Sequence, residues 1–434
     1  MSTQPYNKEL AEEIAWAAFL SGQTRLQTGP FRALIEITRN CNFRCIMCRQ
    51  PVVRETAGMN PDLDMKPALF RKIAGELFPF LSQVHINGLG ETVVSPHWPE
   101  ILETCSSHAG KIKFGLVTNL GAGDSAIWNK TAEAGFRISF SCDGTTKKTF
   151  EHIRRGSCFE TVLENIETVK TAMARSGKGS FSFLVTLQRD NYKEMPDFVD
   201  MAERSGACRV VFASVRSEHR FLRRLKETLS QQTLKKFNFR PAVSLFKTAA
   251  KAALTRTLQF SCPGPARGPY GEPSAPGVLR GRLPSTLYPD ISLNGLPREE
   301  LMALKMETLR RADETGVPVV FNDLIFSGTV PDTGQHPDPL PLEHEEGIRS
   351  ICAVSRYKKC FKPYSYAVIN YKGDVGLCNH LISAEKWKQM GNINGTSFDE
   401  IWNSKPYRLA RGRLWAGMPD NEACLWCFRH RLAE

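Results

Sequence analysis

The 434-residue chain contains no long hydrophobic run, which argues against a membrane-spanning segment. A spanning helix needs about 20 consecutive apolar residues, and no stretch of the sequence approaches that length. The opening segment MSTQPYNKELAEEIAWAAFLSG contains acidic residues and ends in no small-residue cleavage site, so it does not follow the signal-peptide pattern. We therefore expect a cytoplasmic protein that does not contact a membrane.

The sequence also lacks the residue patterns of several common enzyme classes. Its nine histidines show no metal-ligand spacing. Neither a Ser-His-Asp arrangement nor a glycine-rich phosphate loop is visible, and no internal repeat is evident. These absences argue against histidine-based metal sites, serine hydrolases, P-loop nucleotide hydrolases and solenoid proteins.

Most of the net charge of +12 is local, because a stretch between Val215 and Phe260 has an excess of +9. Its five phenylalanines are spaced as in a helix core and not as a stacking surface for single-stranded RNA. The stretch is either a solvated helical face or a contact surface for an anionic substrate or an acidic partner. Nucleic acid is not an expected partner.

The sequence has thirteen cysteines, and three of them lie within the eight residues CNFRCIMC. In a reducing compartment, such a set favours metal ligation or thiol chemistry over disulfides. A closed zinc site needs four ligands, whereas Cys41, Cys45 and Cys48 can hold three corners of a [4Fe-4S] cluster and leave one iron open. The alternative, three reduced core cysteines, gives no reason for this spacing.

Short β-rich runs alternate with helical patterns up to about residue 215, which predicts βα units and a parallel sheet. The length suits one large α/β domain with an appendage, or two domains. Six such units predict an α/β fold with a partial (β/α)6 TIM-like barrel, whose active site lies at the carboxyl ends of the strands. The predicted strands are 32–38, 83–88, 112–119, 137–142, 181–187 and 209–215.

The C-x3-C-x2-C motif after the first strand resembles that of the radical S-adenosylmethionine (SAM) superfamily. The resemblance implies that Cys41, Cys45 and Cys48 bind a [4Fe-4S] cluster whose open iron chelates SAM. It also implies reductive cleavage of SAM to a 5′-deoxyadenosyl radical, with an electron donor such as flavodoxin or ferredoxin. The cofactor then carries the difficult chemistry, and the protein positions it.

The segment NGLGET after the second strand is similar to the Gly-Gly-Glu segment of that family, which holds the methionyl ammonium of SAM. The matching positions are Gly88, Gly90 and Glu91. Leu89 separates the two glycines, which is a departure from the family pattern. A surface turn is the alternative explanation for so short a motif.

The segment SCDGTTKKTFEHIRRG after the fourth strand resembles the family's Ser-x-Asp-Gly segment and the Ile-Arg pair that follows it. The resemblance assigns SAM contacts to Ser141 and Arg154, with Asp143 as a supporting ligand. Arg155 is the alternative residue for the contact with the SAM carboxylate. Met47 is a departure, since many relatives have an aromatic residue there.

A second cysteine set lies near the C-terminus, in CFKPYSYAVINYKGDVGLC and CLWC. The glycine in YKGDV predicts a hairpin turn that brings Cys360 and Cys378 to neighbouring strands. The spacing of Cys360, Gly373 and Cys378 is similar to the SPASM/twitch modules that follow radical SAM barrels. With Cys424 and Cys427, the resemblance implies one auxiliary [4Fe-4S] cluster. A zinc ribbon with four cysteines is the alternative.

These features predict four regions. Residues 1–31 form an N-terminal helical extension, and 32–215 form the radical SAM partial barrel. Residues 216–350 form a helix-rich basic insertion or bridging segment, in which a Pro- and Gly-rich stretch excludes regular structure. Residues 351–434 form the small auxiliary-cluster domain.

The other six cysteines are expected to be buried small apolar residues for the most part. Three of them are candidates for a catalytic hydrogen-atom donor or an additional cluster ligand. These are Cys142, beside the predicted SAM-binding serine, Cys262 in the Pro/Gly-rich stretch, and Cys352 ahead of the second cysteine set.

The first functional hypothesis is a radical SAM enzyme that abstracts a hydrogen from an unactivated carbon of a small metabolite, with net oxidation, in specialised (natural product) biosynthesis. The second is a maturase that cross-links or epimerises a ribosomally synthesised peptide. Against it, only 31 residues precede the first strand, too few for a winged-helix leader-binding domain. An RNA-modifying radical SAM enzyme and a purely structural iron-sulfur protein are further alternatives.

Overall fold

The computed structural model describes residues 8–48, 59–214, 293, 296–321, 360–378, 390–418 and 424. Contacts group 1–215 and 293–434 into one compact unit and 216–292 into another. The second unit, which contains most of the basic stretch and Cys262, lies outside the described residues, as do Cys352 and Cys427.

The described part of the first unit is built on one nine-stranded sheet with the order β7-β6-β5-β4-β3-β2-β1-β8-β9. All neighbouring strands pair in parallel except β8 and β9, which are antiparallel. Since β1 to β6 follow one another in chain order, the predicted α/β partial barrel is confirmed. The strands are β1 (Arg32–Ile35), β2 (Gln83–Ile86), β3 (Lys113–Thr118), β4 (Arg137–Ser141), β5 (Ser180–Leu187), β6 (Val210–Ser214), β7 (Val319–Phe321), β8 (Tyr366–Ile369) and β9 (Val375–Gly376).

Helices connect successive parallel strands, as a parallel sheet requires. In addition, one helix precedes β1 and two follow β9. The α-helices of the described part are α1 (Lys8–Leu20), α2 (Pro67–Leu77), α3 (Trp98–Ser106), α4 (Ser125–Glu133), α5 (Lys147–Ile153), α6 (Phe159–Ser176), α7 (Met195–Arg204), α8 (Arg298–Thr315), α9 (Lys362–Ser365), α10 (Phe398–Trp402) and α11 (Lys405–Trp415). No helix in the described ranges is long and apolar enough to cross a membrane.

Helix α6 shows why these sequences form helices against the sheet. Its buried residues Phe159, Val162, Ile166 and Val169 recur at helical spacing, so they form one apolar stripe. The helix ends at Gly177, whose φ of +62° is a left-handed conformation that glycine adopts without strain. The stripe packs into the core with the sheet residues that face the helices.

The sheet extends beyond the six predicted strands at both edges. Helix α8 leads into β7, which pairs with β6, so residues 298–321 continue the βα pattern. This part of the predicted insertion 216–350 therefore belongs to the barrel, because its strand β7 forms hydrogen bonds with the edge strand β6. At the other edge, β8 of the predicted C-terminal domain pairs in parallel with β1.

The predicted hairpin at Gly373 joins β8 to β9. The Gly373 N–H donates to the Asn370 carbonyl at 2.9 Å, and φ at Gly373 is +82°. The Asn370 side-chain oxygen accepts from the Lys372 and Asp374 N–H groups at 2.9 Å each. The glycine supplies a backbone conformation that a residue with a Cβ rarely adopts.

Candidate active site

The first cysteine motif lies in the loop after β1, at the carboxyl end of the sheet. Two backbone hydrogen bonds tie this loop to the segment after α5: the Arg44 N–H donates to the Arg155 carbonyl at 2.6 Å, and the Ile46 N–H donates to the Ile153 carbonyl at 2.9 Å. The structure thus brings the cysteine loop and the predicted Ile-Arg segment together. These two segments are more than 100 residues apart in sequence.

The thiols of this loop are half-buried and have polar neighbours. Burial, with a contribution from the Glu91 carboxylate, raises the pKa of the Cys41 thiol to about 12. Burial also raises the pKa of Cys45 to about 11, although the nearby Arg154 lowers it in part. Both thiols are therefore protonated at neutral pH without a metal, and a metal has to displace their protons on binding.

Arg154 connects the cysteine loop to the end of β4. One guanidinium nitrogen lies 2.6 Å from Asp143 Oδ2, and another donates to Cys45 Sγ at 3.8 Å. The carboxylate of Asp143 has no exposed surface, and Asp143 Oδ1 accepts the Thr186 N–H at 2.7 Å. Burial alone would lower the pKa of Arg154, but the negative charges around it, first that of Asp143, outweigh burial and raise the pKa above its ordinary value, so Arg154 remains a buried cation beside Cys45.

Glu91 is buried between the loop after β2 and the end of β3. Its carboxylate accepts the Thr118 hydroxyl at 2.8 Å and the Asn119 N–H at 2.7 Å. Burial raises its pKa against the effect of these donors. Two carboxylate oxygens have about four acceptor positions, so Glu91 can serve this structural role and still accept from a bound ligand.

Gly88 and Gly90 have a steric role in the same region. A Cβ on Gly88 would lie 2.3 Å from Glu36 Cγ, and a Cβ on Gly90 would lie 2.5 Å from the Asn40 carbonyl oxygen and 2.6 Å from that of Thr38. The loop after β2 therefore packs directly on the backbone that leads to Cys41. Only glycine permits this approach.

We expect Gly90→Ala to destabilise the protein by about 1–3 kcal/mol and to lower iron incorporation, because the new Cβ would push on backbone atoms that cannot rotate away. Gly75→Ala is the matched control: it lies in the exposed interior of α2 with no atom within 4 Å of the added Cβ, so it should stabilise by about 1 kcal/mol. Urea unfolding and iron per chain measure both effects. Equal shifts in the two variants would contradict the steric role.

Sequence reasoning missed two residues of this site. Asn119, directly after β3, donates to Cys41 Sγ at 3.9 Å and to Asn42 Oδ1 at 2.9 Å. The fully buried Glu36 accepts the Leu89 N–H at 2.9 Å and pairs with Arg39 at 3.2 Å. The available signals were a polar residue at a strand end and a single acid within the apolar run RALIEIT.

The remaining predicted residues occupy different environments. Ser141 is half-buried at the end of β4, and the Arg155 side chain is exposed. Cys142 has no exposed surface, lies in the hydrophobic core and donates to the Gly144 carbonyl at 3.6 Å. This position favours a packing role for Cys142 over hydrogen-atom donation.

In the second cysteine set, Cys360, Cys378 and Cys424 come together. The pKa of Cys360 is raised to about 12, first by burial and then by the charges of Cys378 and Cys424. Phe361, next to Cys360, stacks on Trp16 of α1 with ring centroids 3.6 Å apart. The N-terminal helix therefore packs directly against the start of this set.

The donor chemistry of both cysteine sets fits iron-sulfur clusters. In the described part, the one group of three possible metal ligands with all ligand atoms within 4.8 Å is Glu151, Cys158 and Glu160. Neither cysteine trio is this compact. Soft thiolate donors of this kind bind iron-sulfur clusters and also zinc.

Sequence comparison identifies two domains. Residues 35–202 match the radical SAM superfamily, and residues 360–428 match SPASM, an iron-sulfur cluster-binding domain. The first domain implies a SAM-binding [4Fe-4S] cluster, and the second implies auxiliary iron-sulfur ligation. Together they indicate an enzyme with an auxiliary cluster.

Two curated relatives match over part of this chain. The tungsten-containing aldehyde ferredoxin oxidoreductase cofactor-modifying protein of Pyrococcus furiosus is 27% identical over 170 residues, which are 38% of this chain and 45% of the relative. The GTP 3′,8-cyclase of Synechocystis sp. is 26% identical over 171 residues, which are 39% of this chain and 50% of the relative. The matched region thus spans about half the length of these relatives.

Solved structures share the fold at low sequence identity. SuiB of Streptococcus suis bound to S-adenosylmethionine has a TM-score of 0.55 at 13% identity, with 96% of this chain and 74% of SuiB covered. SuiB bound to its precursor peptide SuiA has a TM-score of 0.54 at 13% identity, with 98% and 76% covered. The structure of anSMEcpe with bound AdoMet has a TM-score of 0.52 at 13% identity, with 93% and 88% covered.

Proposed function

We propose that this chain, with its radical SAM domain and C-terminal SPASM domain, reductively cleaves SAM and abstracts a hydrogen atom from an unactivated carbon of its substrate. The observation that carries the proposal is the three-cysteine loop after β1, with Arg154 and Asn119 donating to its sulfurs. When bound, the cluster and SAM supply a 5′-deoxyadenosyl radical. One electron per cleavage comes from a donor such as flavodoxin or ferredoxin.

The residues around the loop have separate tasks in this proposal. Arg154, held by Asp143, places a buried positive charge beside Cys45 and attracts both the thiolate and the SAM carboxylate. Gly88 and Gly90 let the backbone after β2 approach the cysteine loop. Glu91, after β2, and Ser141, at the end of β4, complete the SAM contacts at the carboxyl ends of the strands, where a ligand of a parallel barrel binds.

The second cysteine set supports net oxidation. Cys360, Cys378 and Cys424, with Cys427 as the fourth ligand, would hold the auxiliary cluster, and a fully ligated cluster supplies an electron acceptor. In this reaction the substrate loses a hydrogen atom to the radical, one electron to the acceptor and one proton to a base. The leading substrate class remains a small metabolite of specialised biosynthesis.

A peptide substrate is the second candidate. It is supported by the fold likeness to SuiB bound to the precursor peptide SuiA and to anSMEcpe, which has been solved with bound AdoMet and the Cp18Cys peptide. An acidic leader peptide would complement the basic stretch between residues 215 and 260. Cross-linking or epimerisation would then replace net oxidation of a metabolite.

The proposal is tested by anaerobic incubation of the iron-loaded chain with SAM and dithionite. We expect 5′-deoxyadenosine, measured by liquid chromatography, and transfer of deuterium into it from the labelled substrate. Candidate metabolites and precursor peptides form the two arms of the assay, and a mass change in one of them identifies the substrate class. An iron-loaded chain that releases no 5′-deoxyadenosine would contradict the proposal.

A further inference from the structure

The inner face of the sheet, opposite the helices, carries polar side chains at the amino-terminal half of the barrel. Successive side chains of a strand point to opposite faces of the sheet. On β4, Ile138 and Phe140 face the helix-packed core, so Arg137 and Ser139 face inward. A packed α/β barrel fills this face with Val, Ile and Leu. The inner polar cluster, as we call it, consists of His85, Arg137, Ser139, Ser182 and Arg209.

Strand register places His85 and Arg137 in one row across the sheet. His85 of β2 pairs with Gly115 of β3, which pairs with Arg137 of β4. A Cβ on Gly115 would lie 2.8 Å from His85 Nδ1, so the imidazole occupies the space that a side chain at Gly115 would take. The imidazole therefore lies over Gly115, the position that pairs with Arg137.

The second row contains the hydroxyl groups. Ser139 pairs with Ser182 of β5, and their Oγ atoms lie 3.2 Å apart. Val210 pairs with Phe183, so the preceding Arg209 lies beside Ser182 in the same register. The two rows bring two guanidinium groups and two hydroxyl groups to neighbouring positions of one face.

The two arginines have no acidic partner in the described part of the chain. Burial lowers the pKa of Arg137, and the like charge of Arg209 lowers it further, whereas the one opposing influence is the Cys208 thiol. Among the described residues, the guanidinium groups of Arg137 and Arg209 form no ion pair and no side-chain hydrogen bond. Arg209 Nε is buried without an acceptor. Two adjacent, half-buried cations with unused donors favour a bound anion, because the anion would offset their repulsion and give the buried Arg209 Nε an acceptor.

We propose that the inner polar cluster binds an oxyanion, namely a carboxylate or phosphate group of the substrate. A planar guanidinium matches such a group with two parallel hydrogen bonds, and the serine hydroxyls add further donors. This inference rests on the proposed function, because it makes the substrate of the radical site an acid. Arg137 precedes the strand end at Ser141 by four residues, about 13 Å, so the acidic group and the reacting carbon are separated by a distance of that order.

The test measures anion binding directly on the full chain, reconstituted anaerobically, without SAM or reductant. Inorganic phosphate and succinate are titrated separately by calorimetry, and the stronger ligand identifies the oxyanion. Arg137→Gln and Arg209→Gln should each weaken binding about ten- to a hundredfold, the usual effect of losing a charged hydrogen-bond donor. Arg71→Gln, which removes an exposed arginine paired with Glu100, is the control and should bind as the wild type does.

Either of two outcomes would overturn the inference: no saturable binding of either anion by the wild-type chain, or equal binding by Arg137→Gln and Arg71→Gln. Circular dichroism checks the fold of each variant. If Arg137→Gln does not fold, Arg137→Lys keeps the charge and loses the paired donor geometry, and it should bind phosphate at least severalfold more weakly. Because this assay needs no SAM cleavage, its failure is distinct from the absence of 5′-deoxyadenosine that would refute the proposed function.

Discussion

Cys41→Ala is expected to abolish 5′-deoxyadenosine formation and to remove about four irons per chain, the content of one [4Fe-4S] cluster. Asn119 cannot replace Cys41 as a ligand, because its amide nitrogen donates to the Cys41 sulfur at 3.9 Å and its oxygen accepts the Gly121 N–H at 2.8 Å. Iron analysis and electron paramagnetic resonance of the reduced protein measure the loss.

The double variant Cys360→Ala/Cys424→Ala, which leaves two of the four proposed ligands, is expected to remove the roughly four irons of the auxiliary cluster. In the wild-type chain, the electron paramagnetic resonance signal of the auxiliary cluster should remain unchanged when SAM is added. The signal that is lost in Cys41→Ala should change when SAM is added. The two variants therefore assign the two cysteine sets. One atom of zinc in place of the auxiliary iron would contradict the two-cluster proposal.

Cys105→Ala is the matched control for both cysteine variants. Cys105 lies on α3 with no exposed surface and belongs to the hydrophobic core, and burial raises the pKa of its thiol. Removal of its sulfur should cost about 1 kcal/mol through a small cavity and should leave the iron content unchanged. Iron loss in this variant would mean that the other cysteine variants report a loss of folding and not a loss of ligands.

The sequence was sufficient to predict the central part of the fold. Each of β1 to β6 falls within, or within one residue of, a range predicted from β-rich runs bounded by turn residues. The hairpin at Gly373 was also predictable, because a glycine between two such runs supplies the backbone conformation that a tight turn needs. These signals are local, and burial on both faces of a parallel sheet strengthens them.

Contacts between distant segments were not predictable in the same way. Glu36 accepts from the Leu89 N–H after β2 and from the backbone of Tyr371 after β8. The Arg39 guanidinium, paired with Glu36, lies 5.3 Å from the Tyr371 ring centroid. Such a junction depends on which strands become neighbours, and no local pattern carries that information. The pairing of β8 with β1 was missed for the same reason.

The glycines after β2 show how a motif and its physical cause can differ. The resemblance assigned Gly88 and Gly90 to SAM binding, which stays a prediction. The structure adds that both residues are required for close packing, against Glu36 and against the backbone of Thr38 and Asn40. The motif therefore identifies a functional region, whereas the clash that a Cβ would cause explains why glycine is needed at Gly88 and at Gly90.

Asp143→Asn is expected to destabilise the protein by about 3–5 kcal/mol, the usual cost of leaving a buried charge without its partner. The introduced asparagine would still accept the Thr186 N–H through its side-chain oxygen, as Asp143 Oδ1 does at 2.7 Å. The variant thus removes the negative charge while it preserves the shape and this hydrogen bond. Arg154, 9% exposed in its side chain, would keep its positive charge.

Asp200→Asn tests the same chemistry at a more exposed site. Asp200 Oδ2 lies 2.6 Å from an Arg311 nitrogen, the same distance as in the Asp143–Arg154 pair, but the side chains of Arg311 and Asp200 are 36% and 24% exposed. Water screens this pair, so its loss should cost about 1 kcal/mol or less. Urea unfolding of the two variants measures the difference. Equal losses would mean that the Arg154 charge does not depend on Asp143, and that another group holds it beside Cys45.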